Sequence, residues 1–266
     1  MDYDAYVAGM QRWAGLGELR EYGSVHENGR AYPLLRFIVP GKRWLTVTSG
    51  FHGEEPAGPL TLLERLGELV DYARARDVGL RVYPLINPSG FEAGTRYNAS
   101  GERPNNDMLR YEVAPGVWRG ELKSAESFVG WAPFTEGPKE TRALRADLNR
   151  FQPPDAALDL HQDRYMKGRY AYAYVFGDLD AYRPLMARTA EHLAIAAGRV
   201  VDEAAGVRSD AEGFVVYHDG SITDWFMRIG VPWTAVLETT CETPLETCHE
   251  ANMIWLRGFV DLAAAR

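Results

Sequence analysis

The sequence predicts an α/β fold: a mixed, mostly parallel sheet with helices on both faces. Three observations lead there. Apolar runs of strand length alternate with helical patterns along most of the chain. No Pro/Gly/Ser-rich linker or shift in composition divides the 266 residues, and 46% hydrophobic content is ample for a sizeable core. Polar residues able to do chemistry fall where predicted strands give way to loops, the usual place for a site in an open α/β sheet. Residues 1–266 are therefore read as a single domain.

The elements follow in order. Residues 34–40 (LLRFIVP) and 44–49 (WLTVTS) read as short strands, and Pro40-Gly41-Lys42 between them supplies turn chemistry, so a hairpin is expected. From residue 58 to 76, Leu60, Leu62, Leu63, Leu66, Leu69 and Val70 recur at helical spacing, with Pro56 suited to the first turn. Residues 79–86 (GLRVYPLI) give the next strand. Residues 87–137 are rich in turn formers and poor in periodicity, and a loop that long is functional or disordered. Helix is then expected over 141–151, strand over 156–161 (AALDLH) and 170–176 (YAYAYVF), and helix over 185–197. A short helix at 221–229, a strand at 233–237 and a closing helix at 245–265 complete the pattern.

Lys and Arg total 29 against 37 Asp and Glu, and a formal net charge of −8 argues against nucleic acid or an anionic membrane as partner. The start, MDYDAY, lacks the basic and apolar regions of a signal peptide, and no window approaches about 18 uncharged apolar residues. A soluble, cytoplasmic protein is expected. Cys241 and Cys248 are too few for a disulfide framework or a four-thiolate metal site, so free thiols are expected.

The segment TSGFHGEEPAG, residues 48–58, sets His52 and Glu55 at a strand-to-helix corner, where His-x-x-Glu spacing lets the two side chains converge. Adding His161 gives two imidazole nitrogens and a carboxylate oxygen, a set that leaves one zinc position open for water. Each part also has a plainer explanation. Carboxylates suit the first turn of a helix, and a histidine near the end of an apolar strand can be a hydrogen-bonded core residue.

Further motifs narrow the choice. Asn87-Pro88-Ser89-Gly90 is followed by Arg96-Tyr97-Asn98, Gly101-Glu102-Arg103 and Asn105-Asn106; later, Tyr217 precedes Gly220-Ser221-Ile222-Thr223-Asp224-Trp225, and Val236-Leu237-Glu238-Thr239 ends an apolar run. In this order the chain resembles the zinc metallocarboxypeptidase family, with kinship to the succinylglutamate desuccinylase and aspartoacylase group. The resemblance implies one Zn²⁺ held by His52, Glu55 and His161, with Glu238 as general base toward water and Arg96 stabilising the oxyanion of the tetrahedral intermediate. Asn105, Asn106 and Tyr217 would contact substrate, and Glu54 would be an outward or supporting carboxylate.

Two positions depart from the family pattern. Asn106 replaces the arginine that grips a terminal carboxylate, and Arg103 replaces the aspartate that orients the first zinc histidine. Asp163 and Asp107 could place negative charge near the metal and favour a cationic or amine-bearing substrate, or could pair with Arg103 or Arg164. The expected substrate is thus a peptide or an N-acyl amino acid, the latter if Arg103 or Arg110 reads a carboxylate. A non-catalytic binding protein on the same fold is the third reading.

Overall fold

The computed structural model describes residues 1–123 and 126–266. In chain order it forms α1 (Tyr3–Met10), β1 (Glu18–Glu27), β2 (Arg30–Val39), β3 (Arg43–Ser49), α2 (Ala57–Arg74), β4 (Val78–Tyr83) and α3 (Pro88–Ala93). Then come β5 (Leu109–Ala114), β6 (Val117–Arg119), β7 (Gly130–Pro133), α4 (Lys139–Leu148), β8 (Ala156–Asp163), β9 (Ala171–Phe176) and α5 (Arg183–Ala190). The last part contains β10 (Val200–Asp202), β11 (Val207–Arg208), β12 (Phe214–Val215), α6 (Ile222–Arg228), β13 (Trp233–Thr240) and α7 (Leu245–Ala264).

The main sheet has the order β1-β2-β4-β3-β8-β13-β9-β12. Its centre, β4, β3, β8 and β13, is parallel, while β1/β2, β2/β4 and β13/β9 pair antiparallel. This is the mixed α/β sheet that the alternation of elements predicts. Along β8, period-two geometry separates two faces. Leu158 and Leu160 join Leu45, Val47, Ala235 and Leu237 in the larger core, which also takes in residues of α2 and α7. Ala157 belongs to a second core with Leu144 and Leu148 of α4 and Ile222, Trp225 and Phe226 of α6. Each fully buried Leu or Phe in these layers is worth roughly 1.5–3 kcal/mol. The central strands are therefore fixed from both sides.

The second layer also carries a buried ion pair. Asp147 of α4 accepts from Arg36 of β2 at 2.5 Å and from the Tyr83 hydroxyl at 2.8 Å. Removing one partner of such a pair typically costs about 3–5 kcal/mol. It pins α4 against the sheet.

Several expectations are corrected. β2 and β3 do not form a hairpin, because β4 lies between them, antiparallel to one and parallel to the other. A strand-helix-strand crossover through α2 brings β4 back beside β3. Gly41 admits it: a Cβ there would stand 2.1 Å from the Gly79 nitrogen. The real hairpin is β1/β2, closed by Asn28 and Gly29 at φ 49° and 80°, the two-residue turn that Asn-Gly favours. The long loop contains α3 and a small sheet of order β6-β5-β7; residues 124 and 125 within it lie outside the described residues. The helix expected to reach residue 197 stops at Ala190. β8 and β13 run two residues past His161 and Glu238, which therefore lie inside strands. Both cysteines are free thiols. No described helix is long and apolar enough to cross a membrane.

Candidate metal centre and its cleft

The loop from β3 to α2 is shaped by the segment after β4. The backbone amides of Ile86 and Asn87 donate to the carbonyls of Ser49 and Gly50 at 3.1 and 2.9 Å. The Asn87 side chain then ties three pieces together. Its Oδ1 accepts from Gly90 N at 2.9 Å, and its Nδ2 donates to the carbonyls of Phe51 and Arg96 at 3.2 and 3.4 Å. Gly53 packs directly on the backbone at Gly90, where a Cβ would meet the Gly90 carbonyl carbon at 1.9 Å. The Asn-Pro-x-Gly motif thus fixes the loop that carries His52. On the far side, Gln162 accepts from the first α2 amide, Ala57 N, at 2.8 Å, while its own backbone N donates to Glu55 Oε2 at 3.2 Å.

His52, Glu55 and His161 are each 3% exposed and converge. Nδ1 of His52 stands 2.7 Å from Oε1 of Glu55, and Nδ1 of His161 stands 2.8 Å from Oε2. Their potential ligand atoms all lie within 4.8 Å of one another, the one such group found among the described residues. Burial pushes His52 down to about 4, the Glu55 carboxylate opposing it, which leaves a neutral imidazole with a free lone pair. Burial works against ionisation of Glu55, yet the two imidazoles hold its carboxyl below the usual range. His161 is raised: burial opposes its charge, but Asp159 and Glu55 outweigh it. Two imidazoles and a carboxylate with convergent lone pairs fit a divalent cation, which would replace the proton between His161 and Glu55.

Sequence reasoning missed Asp159. Its Oδ2 lies 2.9 Å from His161 Nε2, and its Oδ1 accepts from the Thr48 hydroxyl at 2.8 Å. The signal was present, since residues two apart on a strand share a face, and an aspartate two before a ligand histidine can fix its ring. His52 has no counterpart. Its Nε2 is buried and unpartnered among the described residues.

Glu238 sits beside His161, paired in register across β13 and β8, so both side chains rise from the same face. Its Oε2 is buried and unpartnered. Burial raises its carboxyl well above the usual range, with Glu55 and Asp163 adding to the effect and His161 and Arg96 opposing it. Arg96 places Nη1 3.0 Å from Glu55 Oε1 and 3.6 Å from Glu54 Oε1. Glu54 also accepts from Arg164, so it is a supporting carboxylate within the site.

The zinc carboxypeptidase family model matches residues 28–256. The chain belongs to the zinc carboxypeptidase family. Solved structures agree in fold. A candidate metallopeptidase from Shewanella amazonensis is 26% identical at TM-score 0.72, covering 99% of this chain and 93% of that one. Another from Shewanella baltica is 23% identical at TM-score 0.75, covering 98% and 92%. Bovine thrombin-activatable fibrinolysis inhibitor, solved with tick carboxypeptidase inhibitor, is 16% identical at TM-score 0.67, covering 99% and 94%. No curated protein matches the sequence.

In this carboxypeptidase-family chain a cleft of ≈1060 Å³ is lined by His52, Glu55, Arg96 and Glu238, and also by Asn105, Asn106, Asp163 and Tyr217. The structure thus gathers His52, Glu55, Arg96, Asn105, Asn106, Asp163, Tyr217 and Glu238 in one cavity, with His161 buried beneath it. Asn106 Nδ2 donates to Asp219 Oδ2 at 2.8 Å, and the Tyr217 hydroxyl donates to Glu121 at 2.9 Å. Neither acidic pairing follows the expectation for Asp163 and Asp107 fully. Asp163 accepts from the Tyr172 hydroxyl at 3.0 Å and from the amides of Tyr165 and Met166 at 2.6 and 3.1 Å, while Arg164 turns to Glu54. Asp107 lies 3.8 Å from Arg110 and does not line the cleft.

Proposed function

We propose that this chain, residues 1–266 acting as one unit, is a zinc-dependent hydrolase that cleaves an amide or peptide bond. The observation that carries the reading is the unpartnered Glu238 carboxylate beside the His52-Glu55-His161 cluster. An oxygen buried without a hydrogen-bond partner is costly, and such a cost is tolerated where the group serves a reaction.

His52 and His161 would hold one Zn²⁺ through Nδ1, with Glu55 as the third ligand. Zinc, when bound, lowers the pKa of a coordinated water toward about 7 and polarises a carbonyl. Glu238 takes the proton from the attacking water and returns it to the leaving amine, which requires a carboxylate within reach of both. A 2+ charge nearby would draw its raised carboxyl back toward ionisation. Arg96 supplies guanidinium N–H donors to the oxygen that gains charge as the carbonyl becomes tetrahedral. Asn105, Asn106, Tyr217 and Asp163 orient the substrate from the cleft wall. With Asn106 in place of arginine, a bidentate grip on a free C-terminus is lost.

The test is a panel of peptides with free and blocked C-termini, beside N-acyl amino acids, presented to the zinc-loaded chain and to Glu238→Gln. Hydrolysis by the parent, with kcat lowered about 10²–10⁴-fold in Glu238→Gln and zinc retained, supports the reading. Turnover of the N-acyl amino acids alone would favour a deacylase. No turnover of any member would favour a binding protein.

A further inference from the structure

The seam between α2 and α7 is spanned by matched charges except at one end. Arg65 of α2 meets Glu250 of α7 at 3.0 Å, and Arg257 of α7 meets Glu68 of α2 at 2.8 Å. Further along, Arg76 and the Tyr72 hydroxyl both reach Asp261, the hydroxyl at 2.8 Å. Near the start of α7 the pattern stops. Among the described residues Glu64 of α2 has no guanidinium or ammonium partner. Glu246 of α7 has only Arg65, at 4.0 Å and already paired with Glu68 and Glu250.

Between these two carboxylates lies His249. It is 1% exposed, and neither of its ring nitrogens has a hydrogen-bond partner among the described residues. A buried imidazole with both polar atoms unmet is costly. Its Nδ1 faces the carboxylates without touching them, 3.5 Å from Glu64 Oε2 and 3.8 Å from Glu246 Oε2. A direct charge-assisted hydrogen bond would close to about 2.7–2.9 Å. Two ligand atoms at about 2.0–2.2 Å from a tetrahedral zinc stand about 3.3–3.6 Å apart, close to the wider spacing found here. Burial lowers His249, with Glu64 and Glu246 opposing it, and a neutral ring keeps a lone pair for a metal. Glu246 and His249 are three residues apart on α7 and so share a face, while Glu64 comes from across the seam. The three atoms do not close to within 4.8 Å of one another as those of the cleft site do. Both carboxylates end exposed side chains, 49% and 79%, which can swing onto an ion.

We propose that Glu64, Glu246 and Nδ1 of His249 bind a second divalent cation, zinc or a neighbouring transition metal, which fastens α7 to α2 where the seam's charges are unmatched. One imidazole with two carboxylates suits zinc, whereas magnesium and calcium favour oxygen ligands alone. None of the three residues lines the cleft, so the site does not rest on the hydrolase reading. Two of its three donors sit on exposed side chains. This ion is therefore held less tightly than one in the cleft and leaves on desalting.

The test is calorimetric titration of zinc into the full chain after zinc loading and desalting. The parent is expected to take up about one further zinc per chain. His249→Ala should abolish that uptake. Glu64→Gln should weaken it by more than the about 10–100-fold that losing a mere supporting partner costs, and its exposed position keeps the test alive if His249→Ala does not fold. Added zinc should raise the Tm of the parent and leave that of Glu64→Gln unmoved. His161→Ala separates this site from the cleft, because it should lose the ion that survives desalting and keep the one titrated afterwards. A folded parent that takes up no further zinc, uptake undiminished in Glu64→Gln, or equal uptake of magnesium would overturn the inference.

Discussion

The two histidines of the candidate metal centre are held in different ways. His161 belongs to β8, its Nδ1 facing Glu55 and its Nε2 facing Asp159, and the sheet register sets Glu238 beside it. His52 sits in a loop shaped by Asn87 and Gly90, and its Nε2 has no partner. One half of the site is therefore built by strand pairing and the other by side chains that hold loops. The strand half holds the residues the resemblance leads one to expect, and the loop half carries Arg103 and Asn106, the two positions that depart from that expectation. Register is expensive to alter because a one-residue slip turns every side chain to the other face. Loops can change the identity of what they present at much lower cost.

The largest expected effect tests what the halves share. Glu55→Ala removes the carboxylate that faces both rings, and turnover of any accepted substrate should fall to background, measured on protein incubated with excess zinc. Loss of only a few-fold would mean that Glu55 is not a ligand.

Asp159→Ala addresses the difference between the halves. Removing a carboxylate behind a ligand histidine typically weakens metal binding about 10–100-fold. Competition with a chromogenic chelator should show that loss. Unchanged affinity would mean that the His161 ring needs no support and that the two halves are equivalent.

A smaller effect concerns the loop half alone. Asn98, between Arg96 and Asn105, donates to Glu140 at 3.0 Å, tying the loop to the start of α4. Burial pushes the Glu140 carboxyl up to about 7, with Glu27 and Glu102 adding to it. A raised carboxyl stabilises the fold fully at pH below its ordinary value of 4.5 and loses that contribution as pH rises through about 7. Unfolding free energies from denaturant titrations at pH 5 and pH 8 should differ by on the order of 2 kcal/mol more in the parent than in Glu140→Gln. Equal pH dependence in the two proteins would remove Glu140 from the account.

The same division explains what could be read from the sequence. Leu60 to Val70 at helical spacing and the apolar runs at β8 and β13 showed the alternation of elements, because each buries a face whose period is local. His52, Glu55, His161 and Glu238 were legible as types at characteristic spacings. The β2/β4/β3 order was not, since a crossover that inserts a strand leaves no local signal beyond Gly41. The β1/β2 hairpin carries its signal only in Asn28-Gly29, because β1 is largely exposed and polar and shows no apolar run. Asp159 shared a face with His161 and could have been found. The Asn106–Asp219 contact could not, because it joins segments 113 residues apart.

The central claim is that His52, Glu55 and His161 together hold a zinc ion. Metal analysis of purified protein after zinc loading and desalting tests it most directly, with Glu238→Gln and His161→Ala alongside. About one zinc per chain is predicted for the parent and for Glu238→Gln, and essentially none for His161→Ala. Zinc at background in a folded parent, or undiminished in His161→Ala, would contradict the account.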